Sequence, residues 1–220
     1  MTALRLAHRG DWRRAPENSL AALRAALEIP TCDGVEFDVR SASDGTPVLL
    51  HDATLARVQG RADPAASLSP SELGELGVPT LEEALTTVPR RAFLDIELKE
   101  DIGPAVVTVL AGGRGPDLAR VVVSSFDPTV LRRIHSLAPG WSCWLNSYEL
   151  TPEVVRLAAD LDCRGVSVAW WVITPQSFAL AHDAGLEVGA FTVRRRPTFD
   201  RLARLGIAAV CVEGRALDGP

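Results

Sequence analysis

The chain has 220 residues, a formal net charge of −5, 47% hydrophobic and 23% charged residues, the profile of an ordinary globular protein able to bury a full core without disulfides or a structural metal. The acidic balance argues against a nucleic-acid surface, and no apolar run approaches the ~20 residues of a membrane span, so neither nucleic-acid binding nor stable membrane association is expected. Four scattered cysteines (Cys32, Cys143, Cys163 and Cys211) have no metal-ligand spacing and read as buried free thiols.

Residues Met1 to Leu6 run straight into a first strand and leave no room for a leader peptide, which makes the cytoplasm the expected location. From there apolar runs and helical patterns alternate. Strands are predicted at 4–9, 34–40 together with 48–51, 92–99, 120–126, 141–146, 165–172, 187–193 and 208–212. Helical spacing marks 18–28, 81–88, 105–111, 128–137, 152–161, 175–184 and 197–205. Asp127-Pro128, Thr151-Pro152 and Thr174-Pro175 each place proline at the first helical position after a capping side chain, and Gly185 and Gly206 suit left-handed helix exits. Residues 53–78 form a polar insertion after the second strand, weakly helical only at 70–76. Eight strand–helix alternations imply a parallel sheet closed as a (β/α)8 TIM barrel, one domain over 1–220, with a rudimentary or absent eighth helix. An open doubly wound sheet is the competing architecture, but no glycine-rich phosphate loop follows the first strand.

The chemistry concentrates in the first half. Along Gly34-Val35-Glu36-Phe37-Asp38-Val39-Arg40 the side chains alternate, so Glu36, Asp38 and Arg40 share one face of a buried strand. Two carboxylates there repel unless a cation lies between them, and hard oxygen donors suit Mg2+ or Ca2+. Asp95, Glu97 and Lys99 repeat the pattern in Leu94-Asp95-Ile96-Glu97-Leu98-Lys99. His8 and His51 both end apolar runs, where barrel enzymes keep their reactive groups; His135 and His182 lie in helical patterns and receive no role. Set against a divalent ion, Arg9 and Lys99, the three carboxylates Glu36, Asp38 and Glu97 leave a pocket one unit positive, matched to a phosphodiester monoanion. Arg40 reads as either an ion-pair partner in the barrel or a support for the site. One of Trp170 and Trp171 is expected to face the barrel and the other a helix.

Taken in order, His8-Arg9-Gly10, Pro16-Glu17-Asn18-Ser19, Glu36-x-Asp38, Pro47-Val48-x-x-His51-Asp52, Pro79-Thr80-Leu81-Glu82-Glu83 and Glu97-Leu98-Lys99 resemble the glycerophosphodiester phosphodiesterase family, and Ser124-Ser125-Phe126 fits its fourth strand. The resemblance implies that His8 and His51 serve as general acid and base, that Glu36, Asp38 and Glu97 bind a divalent metal, and that Arg9 and Lys99 hold phosphate. The implied reaction is metal-dependent hydrolysis of a glycerophosphodiester to sn-glycerol 3-phosphate and an alcohol.

Three segments depart from the family pattern. The loop after His51-Asp52 reads Arg57-Val58-Gln59 where Arg-Thr-Thr and a longer insertion are usual. The seventh strand reads Phe191-Thr192-Val193-Arg194 in place of Trp-Thr-Val-Asn, and the last ends Val212-Glu213-Gly214-Arg215 in place of Thr-Asp-x-Pro. Phe191 and Arg194 are therefore the candidate substrate-pocket residues, and the added guanidinium is expected to favour an anionic leaving group. Two alternatives stay open: a phospholipase D-type enzyme using the same metal site on lysophospholipids, and a non-catalytic binding barrel. The headgroup, the choice of metal, the division of labour between the histidines, the nucleophile and the oligomeric state are left open.

Overall fold

The computed structural model describes residues 3–115, 118 and 120–218. The Met1-Thr2 start and the last two residues of the expected 1–220 domain lie outside them. Strand β1 (Leu4–His8) is followed by α1 (Leu20–Leu27), β2 (Gly34–Ser41) and the short β3 (Pro47–Leu49). Next come α2 (Ala56–Gln59), α3 (Pro70–Glu75), α4 (Leu81–Thr87), β4 (Phe93–Leu98), α5 (Pro104–Arg114), β5 (Val121–Ser125), α6 (Pro128–Leu137) and β6 (Cys143–Ser147). The chain continues through α7 (Pro152–Asp160), β7 (Gly165–Ala169), α8 (Pro175–Asp183), β8 (Glu187–Val193), α9 (Arg196–Leu205) and β9 (Ala209–Val212). The sheet order is β1-β9-β8-β7-β6-β5-β4-β2, and β2 pairs back onto β1. Eight parallel strands thus close a TIM barrel. After β9 the described residues hold only a short 3-10 turn, Gly214–Ala216.

Helix starts follow the expected chemistry: the side chains of Asp127, Thr151 and Thr174 cap α6, α7 and α8, each with proline in the first turn. Gly185 and Gly206 have φ of 80° and 92°. Most of the core lies between strands and helices, where Val35, Phe37 and Val39 of β2 are fully buried. A smaller cluster of Leu6, Val122, Trp144, Ala209 and Cys211 holds residues of β1, β5, β6 and β9. Trp144 fits because its neighbours lack side chains: a Cβ on Gly165 would lie 2.9 Å from its Nε1, and one on Gly189 3.0 Å from its Cζ3.

Three expectations are corrected. The run 48–51, grouped with the second barrel strand, is not part of the barrel wall: β3 pairs antiparallel with β2, Leu49 opposite Val39, as an arm outside the closed sheet. Short apolar runs do not distinguish a barrel strand from a returning hairpin arm. The 53–78 insertion is not merely polar, since Leu55, Ala65, Leu73 and Val78 bury against Ala42, Val48 and Leu50. Its helices are too short to print a clear period. Strand β7 stops at Ala169, and Trp170–Val172 form a 3-10 turn, so the two tryptophans do not alternate between barrel and helix.

Candidate active site

The site is assembled at the C-terminal ends of β1, β2 and β4. Their register aligns His8 with Glu36, Glu36 with Asp95 and Asp38 with Glu97. At the end of β1 the chain leaves the barrel through a tight turn in which Arg9 (φ 59°) and Gly10 (φ 81°) are left-handed. A Cβ on Gly10 would sit 2.5 Å from the carbonyl carbon of Ala22, so only glycine lets α1 come this close. Asn18, also left-handed at φ 57°, is a clamp on the metal-ligand candidate Asp38. Its Nδ2 donates to Asp38 Oδ2 at 2.9 Å and its Oδ1 accepts from the Asp38 backbone N–H at 3.3 Å. Ser19 caps α1 and Glu17 accepts from Arg9 at 2.8 Å. Each of residues 17–19 thus has a physical task that the sequence pattern alone did not assign.

Glu36, Asp38 and Glu97 each bring one carboxylate oxygen within 4.8 Å of the others. Glu36 Oε1 is buried and has no hydrogen-bond partner. Burial, and then the charges of Asp38 and Glu97, push the Glu36 carboxyl well above its usual range. Burial opposes ionisation of Asp38 too, but Lys99 and Arg9 overrule it and hold that carboxyl at about 2. An orphaned buried oxygen in a cluster of hard anionic donors fits a divalent cation such as Mg2+ or Ca2+. Asp95, opposite Glu36 in the register, accepts from Ser124 Oγ at 2.6 Å, and burial lifts it to about 7.

The two cations expected to hold phosphate border the same cluster. Arg9 Nε lies 2.9 Å from Asp38 Oδ2, and Lys99 Nζ lies 2.9 Å from Asp38 Oδ1 while also bonding Glu97. Both line the cavity, yet their charge is shared with the carboxylates. Arg40 makes both kinds of contact: its Nε donates to the His51 carbonyl at 2.9 Å, and its Nη1 forms an ion pair with Glu100 at 2.8 Å.

His8 and His51 have matching surroundings. Nδ1 of His8 is 2.6 Å from Glu213 Oε1, and Nδ1 of His51 is 2.6 Å from Asp52 Oδ1. The second oxygen of each carboxylate accepts from an arginine Nε: Arg194 to Glu213 at 2.7 Å and Arg57 to Asp52 at 2.6 Å. Burial opposes ionisation of Glu213, but its bonds to His8 and Arg194 bring it to about 2. Burial lowers the His51 pKa despite the nearby charge of Asp38. Nε2 of His8 lies 3.8 Å from Glu36 Oε2, beside the carboxylate cluster.

These groups open onto a cavity of about 660 Å3. Its outer wall is aromatic: Phe126 stacks on Tyr148 with centroids 5.0 Å apart, and Phe191 meets both edge-on at 5.6 and 5.8 Å. Trp170 and Trp171 also line it, with Trp171 59% exposed. Phe191 thus lines this cavity. Arg194 also lines the cavity; its side chain is 74% exposed and its Nε meets Glu213 Oε2 at 2.7 Å.

Sequence reasoning missed Glu213, Asp52, Asn18, Glu17, Phe126 and Tyr148. A signal existed for two of them. Asp52 adjoins His51, and in a closed barrel the residue after the last strand must stand beside the end of the first.

An acidic cradle, two histidines and two basic side chains at the C-terminal end of a closed parallel barrel are the layout of a barrel enzyme acting on a phosphate ester. The chain belongs to the glycerophosphoryl diester phosphodiesterase family, whose sequence profile matches residues 8–214. It is 26% identical over 231 residues to the glycerophosphodiester phosphodiesterase of Caldanaerobacter subterraneus subsp. tengcongensis, covering 97% of this chain and 95% of that protein. It is 31% identical to the probable glycerophosphodiester phosphodiesterase 2 of Mycobacterium tuberculosis, covering 86% of this chain and 78% of that one. Among solved structures, an Oleispira antarctica phosphodiesterase in complex with the product sn-glycerol-3-phosphate superposes with a TM-score of 0.85 at 28% identity, covering 96% of this chain and 93% of that one. Among the described residues, no helix is long and apolar enough to cross a membrane.

Proposed function

We propose that this protein hydrolyses glycerophosphodiesters to sn-glycerol 3-phosphate and an alcohol, using a divalent metal and the histidine pair His8 and His51. The observation that carries the reading is convergence: Glu36, Asp38 and Glu97 meet within 4.8 Å, and one cavity wall adds both histidines, Arg9 and Lys99. Family membership and the product named in the Oleispira antarctica complex support the same substrate class.

Glu36, Asp38 and Glu97 would hold Mg2+ or Ca2+, which when bound polarises phosphoryl oxygens and lowers the pKa of a hydroxyl nucleophile. Asn18 fixes the Asp38 carboxylate before any ligand arrives, so its orientation costs little on binding. Arg9 and Lys99 lie beside the cradle, where a phosphodiester monoanion replaces part of their carboxylate contact. Each histidine meets a carboxylate through Nδ1, which leaves Nε2 for proton transfer. One ring takes the nucleophile's proton and the other protonates the leaving alkoxide.

A second reading, phospholipase D-type cleavage of lysophospholipids, gains support from the wall of Phe126, Tyr148 and Phe191, which offers apolar area beside Lys99. One assay tests both. Release of glycerol 3-phosphate from glycerophosphocholine, abolished by EDTA and restored by Ca2+ or Mg2+, supports the first. Faster release of choline from a lysolipid supports the second, and no turnover of either, with metal present, supports a binding barrel.

A further inference from the structure

Glu213 and Arg194 occupy the last-strand and seventh-strand positions at which this chain departs from the family pattern, and the structure joins them. Strands β1 and β9 are neighbours, with Ala7 opposite Val212, so the residue after β9 necessarily lies beside His8. The Glu213 backbone N–H donates to the Val193 carbonyl at 2.9 Å, which brings the end of β8, and with it Arg194, to the same place. Glu213 is buried and divides its carboxylate: Oε1 meets His8 Nδ1 at 2.6 Å and Oε2 accepts from Arg194 Nε at 2.7 Å.

We infer that Glu213 and Arg194 are positioning residues that fix His8 as its Nδ1–H tautomer and aim Nε2 at the reacting phosphate. An ionised carboxylate only accepts, so the nitrogen facing it must carry the proton. Neutral imidazole can place its proton on either nitrogen, and the wrong choice leaves no lone pair at Nε2. A guanidinium only donates, so Arg194 holds Oε2 and turns Oε1 toward the ring. His51 is built alike, with Asp52 on Nδ1 and Arg57 Nε on the other carboxylate oxygen. Arg194 therefore acts through Glu213 on the histidine and does not read the headgroup. The inference rests on the two-histidine reading.

The test compares His8→Ala, Glu213→Ala, Glu213→Asp, Arg194→Ala and the double variant His8→Ala/Glu213→Ala, with long-range 1H–15N NMR of the imidazoles as a readout independent of turnover. The His8 resonances are assigned by their loss in His8→Ala. Glu213→Ala is expected to lower kcat by about 10- to 100-fold with KM little changed, and to move the His8 proton from Nδ1 toward Nε2. In the His8→Ala background the same change should cost less than about twofold, because Glu213 acts through the ring. Glu213→Asp should recover most of the loss. Arg194→Ala, exposed and safe for folding, should lower kcat by about threefold or more, equally for choline, glycerol and inositol headgroups. Wild-type kcat and an unchanged Nδ1–H signal in Glu213→Ala, beside an inactive His8→Ala, overturn the positioning role alone. A headgroup-dependent KM change in Arg194→Ala without loss of kcat overturns the part given to Arg194. Full activity of His8→Ala removes the two-histidine reading and this inference with it.

Discussion

Replacing Glu36 by glutamine separates its cost to the metal-free fold from its value to the loaded one. The donor oxygens of Glu36, Asp38 and Glu97 lie within 4.8 Å of one another. Two unit charges at that distance repel by about 3.5 kcal/mol at an effective dielectric near 20. Arg9 and Lys99 offset much of this through Asp38 and Glu97, which leaves roughly 1–2 kcal/mol against an ionised Glu36. Because its folded pKa is raised above the ordinary 4.5, Glu36 costs stability progressively as pH rises above that value. In EDTA at about pH 8, Glu36→Gln should therefore melt at or above wild type, by roughly 2–6 °C for a chain of this size. A cation at about one hundred times its Kd stabilises by about 2.7 kcal/mol, so wild type should gain roughly 5–10 °C and Glu36→Gln far less. Scanning calorimetry with EDTA, Ca2+ and Mg2+, alongside turnover, measures both. An equal metal-induced rise in the two proteins refutes the cradle. A variant melting well below wild type in EDTA refutes the repulsion argument.

His8→Ala and His51→Ala should each lose about 10²–10⁴-fold in kcat, and the double variant should be little worse than the poorer single, as steady-state kinetics will show. Gly10→Ala should fail to fold or melt far below wild type, since its Cβ would lie 2.5 Å from the Ala22 backbone; a normal melting curve would contradict the close packing. Acid should expose the Glu213 pairing: with a folded pKa of about 2 against an ordinary 4.5, its stabilisation is complete above 4.5 and disappears as pH falls toward 2. Glu213→Gln should flatten the acid limb of a stability–pH curve in that window. Tyr148→Ala should weaken KM for an acyl-bearing lysolipid by about 5- to 30-fold while leaving glycerophosphoglycerol nearly unaffected; equal effects on both would remove the wall from substrate recognition.

Much of the barrel was legible because most strands are short buried runs rich in apolar residues and most helices carry a start signal, such as Thr151-Pro152 before α7. The metal candidates were legible because period-two alternation puts Glu36 and Asp38 on one face, and β4 repeats the arrangement in register with Glu97 opposite Asp38. Hidden were the features that depend on chain segments meeting late. Glu213 is 205 positions from His8, and only barrel closure makes them neighbours. Asn18 reaches Asp38 because its backbone is left-handed at φ 57°, a conformation its side-chain type permits but does not announce. The partner of Arg194 was hidden too, because a sequence shows a charge without the Glu213 carboxylate that its Nε meets.

The placement of His51 explains why β2 outgrows the barrel. In the mechanism we propose, two proton-transfer groups serve the oxygens of one phosphate, and neighbouring strand ends would crowd their side chains into one arc. Strand β2 runs on past Asp38 to Ser41, and β3 returns antiparallel along that extension. The Leu50 backbone N–H donates to the Asp38 carbonyl at 3.1 Å, so the next residue, His51, arrives level with the metal cradle from outside the barrel wall. Such an arm has a neighbouring strand, β2, on one side only. Its rigidity comes instead from Arg40 on the His51 carbonyl, from Asp52 on the ring, and from Arg57, which bonds both Asp52 and Glu17. Glu17 in turn bonds Arg9, and Arg9 pairs with Asp38. A continuous chain of alternating charges thus runs from one histidine to a metal-ligand candidate. The 53–78 insertion, which supplies Arg57 and buries Leu55 in its own small core, belongs to the site's framework as much as the barrel strands do.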